Sequence, residues 1–174
     1  MGTEDGTPAA ADAESVAAVQ KIEGAIGSGA NWFYWIAGLS VVNSVMHLFG
    51  SDRSFIVGLG ITQVIDAIAA GGASSAGASA GNVLRAIALF LDFMMAAFFV
   101  LLGWQAGKKR AWAFVLGMIL YALDGLIFVL IRDWLSIGFH VFALFGVWAG
   151  YSALRKLRTM EMQAGLRPIG PSGV

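Results

Sequence analysis

Five long apolar stretches, separated by short polar connections, dominate this sequence. Each is close to the roughly 20 residues that an α-helix needs to cross the hydrocarbon core of a bilayer. Charged residues make up only 13% of the chain, against about 25% in soluble domains. The connections, such as SDRS and GKKR, are short enough to make successive helices antiparallel neighbours. The sequence therefore predicts an all-α, polytopic membrane helix bundle with segments at 32–50, 54–71, 84–106, 111–131 and 134–154.

The segment at 54–71 is the weakest of the five. It is short, contains Gly58 and Gly60, and leads into a Gly/Ser/Ala-rich stretch that we predict to be a flexible loop at 72–82. Two topologies follow from this. The chain has five transmembrane segments if 54–71 spans the bilayer, and four if this segment is re-entrant.

The regions outside the bundle differ in composition. Residues 1–11 are small and polar and predict a disordered tail. In residues 12–29 the larger apolar side chains recur at helical spacing, which predicts a short amphipathic helix. That helix lies on the membrane surface, lies against the bundle, or is simply solvated. The bundle itself is expected at 30–154, followed by a basic tail at 155–174.

Basic residues predict the orientation. If all five segments span, one side collects seven of them: Arg53, Lys108, Lys109, Arg110, Arg155, Lys156 and Arg158. Lysine and arginine are enriched on the cytoplasmic side of membrane proteins. We therefore expect a multi-pass protein of a prokaryotic inner membrane with a cytoplasmic C-terminus. The N-terminus is outside if five segments span, and inside if 54–71 does not.

Four ionisable residues fall in one layer of the predicted bundle. From the helical rise, Asp66, Asp92, Asp124 and His140 lie between about 8 and about 12 Å from the same membrane face. Gln63 shares a helical face with Asp66. A charged carboxylate exposed to lipid costs about 3 kcal/mol, so we expect these side chains to point inward and to lie close together.

Crowded carboxylates hold protons or bind a cation. Aspartate and histidine also form a ligand set for a divalent metal ion, although no HExxH motif is present. The layer predicts a proton, cation or metal site, in transport or in a subunit of a translocating complex. A structural or assembly subunit, in which these residues only fix helix packing, and a metal-dependent membrane enzyme are the alternatives. The sequence identifies no catalytic residue.

A second polar stripe lies on the first segment. Ser40, Asn43, Ser44 and His47 share one helical face. Small polar residues of this kind are common where membrane helices pack. The alternative is a path from the cytoplasm to the carboxylate layer, along which His47 relays protons.

Two pairs of glycines are spaced four residues apart, Gly103 with Gly107 and Gly146 with Gly150. Such pairs let helices approach closely, either inside the bundle or in a homo-oligomer or larger membrane complex. The lipid bilayer is the predicted surrounding. The basic residues form no continuous face, so we do not expect binding to nucleic acid.

Overall fold

A computed structural model of the chain describes residues 8–48, 59–75 and 78–165, and all regular structure in these ranges is α-helical. Side chains at 8–12, 47–48, 66, 70, 73–75 and 78–79 lie outside the description. The helices are α1 (Pro8–Leu48), α2 (Gly60–Ser75), α3 (Ala78–Gly107), α4 (Ala111–Ile131) and α5 (Trp134–Gln163).

Helix α1 is one continuous element of 41 residues. The predicted boundary between an amphipathic helix at 12–29 and the bundle at 30 is not a break in the backbone. Ile22, Ile26, Ala30 and Phe33 are all buried, so one apolar stripe with helical spacing continues across the boundary. The N-terminal part of α1 therefore packs against the bundle, and residues 8–11 of the predicted disordered tail belong to this helix.

Two other helices also run further than predicted. Within the predicted loop at 72–82, α2 extends to Ser75 and α3 begins at Ala78. Helix α5 continues to Gln163, into the predicted basic tail. Alanine-rich sequence favours helix even without an apolar stripe, so a Gly/Ser/Ala-rich composition does not by itself distinguish a loop from a helix.

Helix α1 lies between α3 and α5 and runs antiparallel to both. Against α3, Phe33 contacts Phe99, and further along Ser44 contacts Asp92. Against α5, a Cβ on Gly29 would lie 2.4 Å from the Cα of Gly150. The two backbones meet there, and only glycine permits so close a crossing.

Most of the glycines predicted to mediate close packing are used within the chain. The Cβ positions of Gly103, Gly146 and Gly150 all fall against α1, with Trp32 filling the space beside Gly146. A Cβ on Gly107 would meet nothing within 4 Å. Association between copies through these residues stays a prediction.

The two ends of the bundle differ in charge. At one end, which we call the basic end, the α3–α4 turn at 108–110 meets α1 and α5: Lys109 binds Glu23, and Arg158 donates to the Lys109 carbonyl oxygen. The opposite end carries the α4–α5 turn and the beginning of α3.

Helix α2 does not run from one end of the bundle to the other. The amide of Leu59, one residue before α2, contacts Ser40, and the amide of Gly60 contacts Asp124. From there α2 runs antiparallel to α3 towards the opposite end, where Gly72 lies against Leu84. Helix α2 therefore begins inside the bundle, about 10 Å from the end of α4.

Three helices within the described residues are long and apolar enough to cross a membrane, at 80–107, 111–131 and 134–163. Many of their large apolar side chains face outward, and a core of aromatic residues that includes Phe33, Phe99 and Phe114 faces inward. Such an inside-out distribution of apolar surface is typical of a membrane protein.

Candidate functional site: a buried aspartate–histidine pair

Asp124 of α4 and His140 of α5 form a buried pair. The Nε2 atom of His140 lies 3.0 Å from Oδ2 of Asp124, and the two side chains are 3% and 4% exposed. Because α4 and α5 are antiparallel, residues at equal distance from their connecting turn face each other. The sequence predicted that these two residues lie at a similar depth, and in the structure they are in direct contact.

The second nitrogen of His140 determines how many protons the pair holds. Nδ1 lies 2.8 Å from the carbonyl oxygen of Ser136. A carbonyl oxygen only accepts hydrogen bonds, so Nδ1 carries a proton and donates it. A single further proton then lies between Nε2 and Asp124, in either an imidazolium–carboxylate or an imidazole–carboxylic acid pair.

Asp124 also binds the N-terminus of α2. The backbone amide of Gly60 donates to its Oδ2 atom at 2.7 Å, and that of Ile61 donates to Oδ1 at 2.8 Å. The first amides of a helix have no partner within the helix, and they carry partial positive charge. Asp124 therefore caps α2 from another helix.

Ser40 of α1 completes the attachment of α2. Its hydroxyl accepts a hydrogen bond from the Leu59 amide at 2.9 Å and donates one to the Ile36 carbonyl at 2.8 Å. Three successive backbone amides at the start of α2 are thus held by side chains of α1 and α4. This satisfies buried polar backbone that would otherwise cost free energy in an apolar environment.

Aromatic rings enclose the histidine. The ring of Tyr121 stacks on His140 at a centroid distance of 4.3 Å and an angle of 15°, and Phe128 lies 4.9 Å away. Two aromatic rings therefore pack directly against the imidazole. The Tyr121 hydroxyl is buried and has no hydrogen-bond partner among the described residues.

Glycines allow the elements to come this close. A Cβ on Gly60 would lie 2.6 Å from Cε2 of Phe128 and 3.3 Å from the Asp124 carbonyl oxygen. A Cβ on Gly125 would lie 3.2 Å from Cδ2 of His140. The glycine at the start of α2 is thus required by the packing around the pair.

Asp92 of α3 occupies a different interface. It is 2% exposed, and its Oδ2 accepts a hydrogen bond from the Ser44 hydroxyl of α1 at 2.7 Å. Asn43 is buried next to Ser44 on α1. The predicted polar stripe on α1 therefore faces the bundle, where Ser40 binds the start of α2 and Ser44 binds Asp92. Its role as a path for protons stays a prediction.

The remaining predicted residues are less fully described. Asp66 lies in α2 and His47 in α1, and both side chains lie outside the described residues. Gln63, one turn into α2, is half-buried. Among the side chains that are described, no group of three or more histidine, aspartate and glutamate residues is arranged to hold a metal ion. The structure thus brings together Asp124 and His140 of the predicted layer.

An apolar pocket of about 470 Å³ lies beside the pair, between α2, α3 and α4. Asp124 is its one charged lining residue, and Ile61 of α2 forms one wall together with Leu59, the residue before α2. Leu123, also in the lining, is 56% exposed, so the pocket is close to the outer surface of the bundle. Any movement of the start of α2 changes the shape of this pocket.

Sequence reasoning missed two components of the site. Ser136 lies four residues before His140 and supplies its carbonyl acceptor, while the Ser136 hydroxyl donates to Asp133, the residue that caps α5. The Gly60 and Ile61 amides were missed because a backbone donor leaves no residue-type signal. Gly60, one of the two glycines that weaken segment 54–71, was the available signal for these amides. A helix that begins inside a bundle needs a close approach of its backbone to its neighbours, and glycine permits it.

No family model matches this chain, and no curated protein and no solved structure is similar enough to count as a match.

Proposed function

We propose that this chain is an integral membrane protein in which the Asp124–His140 pair binds and releases one proton, and that this proton controls the docking of α2 during transport. The main support is that one buried carboxylate contacts both a histidine nitrogen and two backbone amides at the N-terminus of a helix. Ionisable groups inside membrane bundles are costly and are typical of proton and ion pathways.

The proposed topology has four crossing helices and one half-helix. Helices α1, α3, α4 and α5 cross the bilayer, and α2 is re-entrant, because its N-terminus lies at the level of Asp124 and it runs to one end only. Discontinuous helices whose N-termini lie near the bilayer midplane are common at transporter binding sites. With the basic end cytoplasmic, the N- and C-termini lie on the same side.

Addition of a proton to Asp124 would weaken its hold on α2. The carboxylate accepts from two backbone N–H groups and, in the imidazolium–carboxylate form, also from Nε2–H of His140. A protonated acid has less negative charge and must itself donate one hydrogen bond. The Gly60 and Ile61 amides would then lose their strongest acceptor. Since α2 forms one wall of the apolar pocket, the proton and the shape of the pocket are coupled.

The test measures exchange at the start of α2 as a function of pH. In protein reconstituted into vesicles, hydrogen–deuterium exchange of a peptide covering residues 59–64 is compared with the intrinsic exchange rate at each pH. The protection factor, which is the ratio of the intrinsic rate to the observed rate, should fall on acidification. Asp124→Asn should abolish that pH dependence, because its amide does not titrate. Asp92→Asn, which removes the other described buried aspartate, should leave it intact. An identical pH dependence in Asp124→Asn would refute the proposal.

One observation favours a second function, a structural lock. His140 has a partner at both nitrogens, Asp124 has one at both oxygens, and both side chains are almost completely buried. A pair that only holds α2, α4 and α5 together would keep its proton over the whole pH range of the folded protein. Vesicles containing the protein would then show no uptake or release of protons that depends on Asp124.

A further inference from the structure

The turn between α3 and α4 and the last turns of α5 bring basic residues from two distant parts of the sequence together. Arg158 donates a hydrogen bond to the carbonyl oxygen of Lys109 at 3.1 Å. Arg155 lies three residues before Arg158 and hence on the same helical face. We call this group the basic corner: Lys108, Lys109, Arg110, Arg155 and Arg158.

The positive charge of the basic corner is only partly compensated. Glu23 pairs with Lys109, and Glu161 is buried near the end of α5. The other basic side chains of the corner have no carboxylate partner among the described residues. The corner therefore carries an excess of positive charge, and Lys108, Arg155 and Arg158 are exposed.

Aromatic and apolar residues lie directly beside these charges. The ammonium of Lys108 is 3.4 Å from the ring centroid of Trp104. Trp104 and Trp112, at the adjoining ends of α3 and α4, are about half exposed, and the exposed residues Leu101 and Val115 lie one turn further from the basic end. Tryptophan is enriched at the level of lipid headgroups, so the corner lies where charged headgroups meet acyl chains.

We infer that the basic corner binds the headgroup of an anionic phospholipid, whose acyl chains lie along the exposed apolar faces of α3 and α4. The lipid would complement this surface in two ways. Its phosphate group would contact the uncompensated arginine and lysine side chains, and its acyl chains would contact Leu101 and Val115. Basic pockets between membrane helices on the cytoplasmic side bind such headgroups. A soluble anion would need the first contact only.

The test compares lipids in purified full-length protein. In a neutral detergent, native mass spectrometry should show phosphatidylglycerol retained more strongly than phosphatidylcholine of the same chain length. Arg155→Gln should weaken retention of phosphatidylglycerol about fivefold, and the double variant Arg155→Gln/Arg158→Gln by more, since each basic residue contributes about that factor. Because Arg158 also holds the Lys109 carbonyl, the single Arg155 variant is the decisive one.

Two matched controls remove the same charge elsewhere. Lys156 is next in sequence but points away from the face of Arg155 and Arg158, and Arg132 lies in the turn at the opposite end. Lys156→Gln and Arg132→Gln should each leave retention within twofold of the unmodified protein. Equal retention of the two lipids, an equal loss in either control, or displacement of the lipid by millimolar inorganic phosphate would overturn the inference.

Discussion

At the scale of single residues, Asp124 connects α4 to both α2 and α5. Its two oxygens bind groups from α2 and α5, whereas Asp92 accepts a hydrogen bond from a hydroxyl of α1. Both aspartates are buried in apolar stretches of sequence. Their neighbours make them different, so the same substitution should have different consequences at the two positions.

Asp124→Asn should lower the free energy of unfolding by about 3 kcal/mol, because it removes one partner of a buried charged pair. Asp92→Asn should cost about 1 kcal/mol, since an amide oxygen still accepts the Ser44 hydrogen bond. Denaturant unfolding in detergent at neutral pH measures both. Equal losses in the two variants would mean that Asp124 and His140 do not form a charged pair.

Asp133, outside the apolar spans, provides a pH-dependent cap for α5. The Ser136 hydroxyl donates to its carboxylate at 2.6 Å, and this bond lowers the pKa of Asp133 below its ordinary value. A lowered pKa means that the folded state favours the charged form. The stabilisation is therefore present at neutral pH and is lost as the pH falls through the lowered pKa.

Asp133→Ala should cost about 1 kcal/mol at neutral pH, which is typical of a lost helix N-cap. The residue is partly exposed, so solvent screening keeps the ionic part small. The difference in unfolding free energy between Asp133→Ala and the unmodified protein should shrink as the pH falls below the ordinary aspartate value of 3.8. A difference that stays constant as the pH falls well below 3.8 would exclude an ionic cap.

At the scale of helices, the docking of α2 depends on the absence of a side chain at its first residue. Gly60→Ala places a methyl group 2.6 Å from Phe128, a ring that is itself buried beside His140. Overpacking of this kind costs about 1 to 3 kcal/mol. Helix α2 should therefore be displaced from Asp124 in this variant.

The matched control is Gly71→Ala in the same helix, where the added methyl group would meet nothing within 4 Å. That variant should be neutral or more stable by up to about 1 kcal/mol, because alanine favours helix over glycine. Thermal unfolding in detergent compares the two. If Gly60→Ala is as stable as Gly71→Ala, α2 does not make its close contact with α4.

The sequence predicts the helices better than it predicts which side chains meet between them. Apolar runs predicted all-helical structure, and depth counting brought Asp124 to the level of His140. Depth gives no information on rotation about the helix axis, so the sequence could not show that Asp92 faces Ser44. Within the predicted loop at 72–82, α2 reaches Ser75 and α3 begins at Ala78, because glycine, serine and alanine together do not exclude a helix.

At the scale of the whole molecule, the proposed topology places both termini on one side. The chain contains no cysteine, so single cysteine substitutions report accessibility directly. Ser15→Cys, Lys108→Cys and Thr159→Cys should react with an impermeant thiol reagent from the cytoplasmic side. Asn82→Cys, near the start of α3, should react only from the other side. A Ser15→Cys that reacts on the side opposite to Thr159→Cys would favour five full crossings over a re-entrant α2.

The shared proton of Asp124 and His140 is open to direct observation. The chain has two histidines, so His47→Gln leaves His140 as the one source of histidine ring signals in nitrogen-15 NMR. At neutral pH the proposed pair predicts that both ring nitrogens carry a proton, and that Nε2 loses its proton in the His47→Gln/Asp124→Asn variant. A neutral ring whose spectrum is the same with and without the Asp124 carboxylate would contradict the proton pair.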